Sequence, residues 1–198
     1  MNASKTALLV LDIQPACLAK LNDVEKLIDN TKKLVEGARA KGITVIFVRV
    51  AFTDEEFQNI PSTNKTFSRF SKMGIKTPSQ MGFHADDESA QIHPDLGGVQ
   101  PNDIQIRKIR PGPFTNTDLH QQLQNRKIDN LVITGVATAN AVLTTVRNGM
   151  DLDYGMIIVT DACADPDPEL HNTMIKTFER AAEILTTEET LQRFSSAQ

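Results

Sequence analysis

Ala7-Leu8-Leu9-Val10-Leu11-Asp12 is an unbroken apolar run stopped by an acid. A strand with one wet face would alternate polar and apolar residues. A continuous run of this length is the pattern of a central parallel strand covered by helices on both faces. Downstream, Val24, Leu27, Ile28, Thr31, Leu34, Val35 and Ala38 keep the spacing of one helical face, with Asp23 as N-cap and Gly42 as stop. Ile43 to Val50 is a second, β-branched strand, completing a strand–helix–strand unit of the length that right-handed crossovers use.

From Ala51 to Asp103 periodicity fades into Asn, Ser, Gly, Pro and scattered Phe, a long irregular excursion of the kind that serves function in compact domains. Regular order resumes with a strand over Ile104–Ile109 that carries Lys108, followed by the turn Arg110-Pro111-Gly112-Pro113. Thr115 with Asp118 approximates a capping box, ahead of a helix striped by Leu119 and Leu123. A strand over Asn130–Thr134 leads into a helix over Ala139–Met150, and Gly155–Thr160 forms another buried strand. Leu170, Met174, Phe178 and Ala181 mark the last long helix, Ile184-Leu185 an edge strand and Thr187–Phe194 a terminal helix. This alternation predicts an α/β fold, a three-layer α/β/α sandwich with a mainly parallel sheet, as a single domain over 1–198.

Composition narrows the function. The 198 residues carry 21 Lys+Arg against 25 Asp+Glu, a formal charge of -4, and no basic block, which argues against nucleic acid as partner. A small uncharged or mildly anionic molecule fits better. Only two cysteines occur, Cys17 and Cys163, far apart, so a disulfide scaffold is not expected and both read as small buried residues in a reducing, cytoplasmic setting. Ala7–Leu11 is too short for a membrane span or a signal-peptide core. His84, His93, His120 and His171 have no ligand spacing, and neither a metal nor a cofactor is expected.

In a sheet of this type ligands gather beyond the carboxyl ends of the strands, where strand order reverses. Asp12, Lys108 and Gly135-Val136-Ala137-Thr138-Ala139-Asn140-Ala141-Val142 all fall at that edge. A carboxylate ending an apolar strand is partly desolvated and needs a cation nearby, and Lys108 is the candidate. Gly135 to Val142 is a sharp passage from strand to helix, which turns backbone N–H groups toward a developing anion. Gln14 either contacts substrate or fixes the turn through its amide, and Thr138 either caps the helix or touches substrate. Arg110 beside Phe114 is placed to clamp a carboxylate or planar ligand.

Taken together, Ala7 to Gln14, Lys108, Phe114-Thr115-Asn116-Thr117-Asp118-Leu119, Thr134 to Thr138 and Val159-Thr160-Asp161-Ala162-Cys163 resemble, in that order, the isochorismatase-like hydrolases. The resemblance implies the Rossmann-like fold of that family and a homo-oligomer, dimer or tetramer. It gives Asp12 the role of acid or base and Lys108 that of charging and orienting the site. A cis peptide before Ala137 would help to build an oxyanion hole with Val136 and Ala137. It also places the nucleophilic cysteine of the amidase members at position 141, where this chain has Ala141. A methyl group cannot attack a carbonyl, so the usual covalent amidase path is not expected. Two expectations stay open: a hydrolase that works without the thiol, as isochorismatases themselves do, and a ligand-binding member whose alanine is natural or introduced. Nicotinamidase is disfavoured because Ala51-Phe52-Thr53-Asp54 lacks the metal-binding histidine of that pattern.

Overall fold

The computed structural model describes residues 1–196; the last two positions of the expected 1–198 domain lie outside the described residues. Six strands form one sheet: β1 (Thr6–Leu11), β2 (Thr44–Val50), β3 (Ile104–Lys108), β4 (Asn130–Val136), β5 (Gly155–Ala164) and β6 (Glu183–Leu185). Their spatial order is β3-β2-β1-β4-β5-β6 and every pairing is parallel. The order reverses between β1 and β4, the switch point at which open α/β sheets leave a crevice.

The helices are α1 (Pro15–Leu18), α2 (Val24–Ala40), α3 (Asp54–Gln58), α4 (Lys65–Lys72), α5 (Leu119–Asn125), α6 (Leu143–Asp151), α7 (Pro168–Phe178) and α8 (Thr187–Ser195). They cover the sheet on both sides. Leu9 and Leu11 of β1 face one core with Leu123 of α5, Val146 of α6 and Phe178 of α7. Leu8 and Val10 face the other with Leu34 of α2 and Phe194 of α8. Burial on both faces is the reason β1 is apolar from Ala7 to Leu11, and the expected three-layer α/β/α sandwich is the fold observed.

Several local expectations are corrected. Asp23 stands at the start of α2 in the left-handed region, with φ 52, and its side chain makes no capping bond. Thr115 and Asp118 form no capping box; the hydroxyl of Thr117 accepts the Leu119 N–H at 3.2 Å instead. β5 runs on to Ala164, past the expected end at Thr160, because a register shift between Ile133 and Gly135 lets its later residues pair again with the end of β4.

The excursion between β2 and β3 is less irregular than its sequence suggests. Thr53 and Glu56 close a true capping box at the start of α3, and Asn64 caps α4. The segment is tied to the sheet edge where the Phe52 N–H donates to Phe83 O at 2.9 Å and the Ala85 N–H to Phe52 O at 2.8 Å. It has a small apolar core of its own around Phe52 and Phe57. Among the described residues, no helix is long and apolar enough to cross a membrane.

Candidate active site

At the end of β1 the chain turns through Asp12 with φ 54, a region that aspartate enters more readily than most residues. The Asp12 N–H donates to Val48 O at 2.9 Å, and its C=O accepts the Gln14 N–H at 2.9 Å. Gln14 then locks the neighbouring strand. Its amide nitrogen donates to Val50 O at 3.0 Å and Ala90 O at 2.7 Å, while its amide oxygen accepts the Val50 N–H at 2.8 Å. A fully buried amide satisfied in this way fixes the turn, the second of the two roles the sequence left open.

Lys108 ends β3, two strands from Asp12, a separation of about 10 Å at ordinary strand spacing. Only a long side chain bridges that gap. Lys108 passes the end of β2, and its Nζ reaches Asp12 Oδ2 at 2.7 Å. Both residues are nearly closed to solvent, at 4% exposure for Asp12 and 3% for Lys108. Burial lifts the Asp12 carboxyl above the usual carboxylate range, opposed by the charge and hydrogen bond of Lys108. The second oxygen, Oδ1, is buried with no hydrogen-bond partner among the described residues.

The third wall comes from β4. A Cβ on Gly135 would lie 2.0 Å from Leu11 O, and φ is 125 there, so glycine alone lets β4 approach β1 at this point. The Val136–Ala137 peptide is cis. Thr138–Val142 then forms a single π-helical turn before α6. Ala137 O collects the N–H groups of Asn140, at 3.0 Å, and Val142, at 3.3 Å. The Ala139 N–H is bound to Asp165 Oδ2 at 2.9 Å and so is not available to a ligand. Thr138 does not cap the turn. Its hydroxyl is fully buried 2.9 Å from His171 Nδ1, and burial pulls the His171 pKa down.

These elements enclose a cavity of about 450 Å³, a size that suits a small metabolite. Asp12, Lys108, Val136, Ala137, Asn140 and Cys17 border it, together with Phe52, Phe67, Phe70 and Phe83 from the excursion. Of the residues singled out from the sequence, Asp12, Lys108, Val136 and Ala137 meet there. Gln14, Arg110, Phe114, Thr138 and Ala141 do not border the cavity, although Ala141 sits buried in the same turn, one residue beyond Asn140. Arg110 folds back on its own strand end, donating to Ile109 O at 2.6 Å. Phe114 stacks on Tyr154 at 6.0 Å between ring centres and packs against the core.

Cys17 is a correction of another kind. Expected as a buried filler, it is half-buried in α1 and borders the cavity, its thiol 3.7 Å from the Gln14 amide oxygen. Burial, with the Asp12 charge adding to it, pushes that thiol well above the usual range, so it stays protonated. Cys163 is buried in β5 and pushed up to about 12 by the same loss of solvent. Cys17 and Asn140 were legible only as positions close to Asp12 and to the Gly135 turn. The aromatic wall had no periodic signal at all. Among the described residues, no three His, Cys, Asp or Glu side chains come together as a metal site.

The parallel α/β sandwich thus places a buried acid–ammonium pair beside a cavity at its switch point. The chain belongs to the isochorismatase family: the Isochorismatase domain matches residues 6–189. It is 31% identical over 195 residues to the uncharacterized isochorismatase family protein YecD of Escherichia coli O157:H7, covering 96% of this chain and 97% of that one. It is also 31% identical over 176 residues to an Arabidopsis thaliana protein described as a "Probable inactive nicotinamidase", covering 86% of each. In three dimensions it resembles a cysteine hydrolase from Pseudomonas syringae pv. phaseolicola 1448A, with a TM-score of 0.84 at 22% identity over 100% of this chain and 96% of that chain.

Proposed function

We propose that this isochorismatase-family hydrolase adds water to a small molecule by acid–base catalysis, with no covalent thiol intermediate. Asp12 takes a proton from the attacking water and returns it to the leaving group. Lys108 opposes burial by favouring the charged carboxylate, and it orients substrate. Backbone N–H groups around Ala137 and Ala141 polarise the oxygen that gains charge. The bond from water oxygen to the attacked carbon forms as the bond to the leaving group breaks, and no net proton is consumed. The observation that carries this reading is the buried 2.7 Å contact between Lys108 Nζ and Asp12 Oδ2, with Oδ1 left unpartnered beside the cavity. A general base of this sort contributes about 10²- to 10⁴-fold.

The test is a mass-spectrometric screen of amides and vinyl ethers with the wild-type chain, then with Asp12→Asn. Turnover that falls by at least about a hundredfold in the variant is the expected result. A variant that keeps the full rate ends the proposal.

A second reading, a ligand-binding member without turnover, is favoured by Ala141, since the family pattern has its nucleophile at that position, and by a relative described as inactive. On that reading no substrate of the screen is consumed by the wild type, whereas Ala141→Cys creates amidase activity or a thiol that forms an adduct with an electrophile.

A further inference from the structure

The turn between β4 and α6 is gripped by side chains at both of its ends. On the α6 side the grips are local: the hydroxyls of Thr144 and Thr145 donate to Asn140 O and Ala141 O, each at 2.7 Å. On the β4 side they come from a distant part of the chain, the residue just past β5 and the first turn of α7. Asp165 Oδ2 accepts the Ala139 N–H at 2.9 Å, and His171 Nδ1 lies 2.9 Å from the Thr138 hydroxyl.

Thr138 is fully buried, and its hydroxyl has no other partner among the described residues, so the imidazole alone offsets its lost solvation. Burial lowers the His171 pKa, opposed by the charge of Asp165, so the ring is neutral at neutral pH and offers one donor and one acceptor nitrogen. Asp165 is itself fixed by the Asp167 N–H, which donates to its Oδ1 at 3.2 Å. Asp167 in turn caps α7 by accepting the Glu169 and Leu170 N–H groups. The segment that carries these side chains also reaches the cavity, through Pro166.

The N–H groups of Ala139, Asn140 and Val142 are engaged, whereas those of Ala137 and Thr138 have no acceptor among the described residues. Ala137 borders the cavity. A free donor does most for a developing negative charge when its direction is fixed before the charge forms. Resting on the reading that donors of this turn polarise the reacting oxygen, we infer that His171 and Asp165 are positioning residues. They hold Thr138 and Ala139 so that the free donors beside them keep one direction. Neither residue borders the cavity, and both act through the turn.

Amide hydrogen exchange followed by NMR tests this on the full chain without a ligand. His171→Phe keeps a ring of similar volume and removes the polar atom, whereas His171→Asn returns one near the place of Nδ1. In His171→Phe the Ala139 and Asn140 amides are expected to exchange at least about fivefold faster, with those of β1 unchanged. Asp165→Ala is expected to show the same local acceleration, and His171→Asn to stay within about twofold of wild type. Exchange unchanged in both His171→Phe and Asp165→Ala overturns the inference. Equal acceleration in the turn and in β1 overturns it as well, because the contacts would then serve the stability of the whole fold.

With a substrate turned over in the screen above, kcat of His171→Phe is expected to fall at least about tenfold while KM stays within about threefold, and His171→Asn to recover most of the loss. A rise in KM alone, or an undiminished kcat, counts against the inference. Asp12→Asn separates it from the catalytic reading. Full turnover in Asp12→Asn, with a loosened turn and lowered kcat in His171→Phe, sinks the role of Asp12 and leaves the positioning of the turn standing. An inactive Asp12→Asn beside an unaltered His171→Phe sinks the positioning alone. A wild type that consumes nothing in the screen ends the catalytic reading, and exchange at Ala139 and Asn140 then decides by itself whether His171 and Asp165 hold the turn.

Discussion

Asp12 and Lys108 exert opposite pulls on one proton. Burial favours the neutral acid and the ammonium favours the carboxylate, with burial the larger of the two. Because folding raises the Asp12 pKa, its contribution to stability is fully present below the ordinary carboxylate pKa and fades as pH rises through the folded value. Catalysis by the ionised form runs the other way and is lost as pH falls through the same value. Lys108→Met removes the opposing pull, so the titration of Asp12 is expected to move to still higher pH. Carbon-detected NMR titration of the Asp12 carboxyl in both proteins checks this, and an unchanged or lowered midpoint would refute it. At neutral pH the variant also leaves a buried charge unpaired, at a cost of about 3–5 kcal/mol where the carboxyl does not protonate. The pair was legible in the sequence because each partner falls at the end of its own strand. The contact itself was not, since strand order across the sheet cannot be read from one chain.

At the scale of elements, the site depends on how closely β4 can lie against β1. Gly135→Ala would put a methyl group into the Leu11 carbonyl, in a backbone conformation that side chains rarely adopt. A loss of several kcal/mol, on the order of 3–5, is expected in chemical denaturation, and a change under 1 kcal/mol would show that the strands can separate without cost. Gly135 was read from the sequence as part of a sharp turn, whereas its function here is to admit a neighbouring backbone. The π-helical turn that follows escaped prediction for a related reason. The N–H groups of Asn140 and Val142 are engaged by Ala137 O and that of Ala139 by Asp165, a residue 26 positions away and visible as a partner only once β5 is paired. The strands and long helices were readable because their periodicity is local. Caps at Asp23 and Thr115 were misjudged because several polar groups compete for each free N–H.

The whole molecule divides its apolar residues into two cores that hold the sheet and a third that shapes the cavity. Phe47 is fully buried in β2 and Phe67 lies in the wall of the third cluster. Phe47→Ala is expected to cost about 3–5 kcal/mol in denaturant unfolding. Phe67→Ala, with a half-buried ring on a peripheral segment, is expected to cost no more than about 1.5 kcal/mol and to register mainly as weaker ligand binding. Similar losses for both would mean that the excursion is part of the folding core. The excursion was recognised from its missing periodicity as a functional segment, but its helices are short and their apolar faces serve a cavity, so no pattern announced them.

The same segment leaves and rejoins the sheet edge at almost one place, where Phe52 pairs with Phe83 and Ala85. Its two ends are thereby stapled together before the polypeptide returns to β3. The Asp12–Lys108 contact is made at strand tips, whereas most of the aromatic lining of the cavity comes from one contiguous, self-closing insert. Because its ends meet, exchanging the residues between Phe52 and Phe83 is expected to reshape the cavity lining while the Asp12–Lys108 contact stays in place.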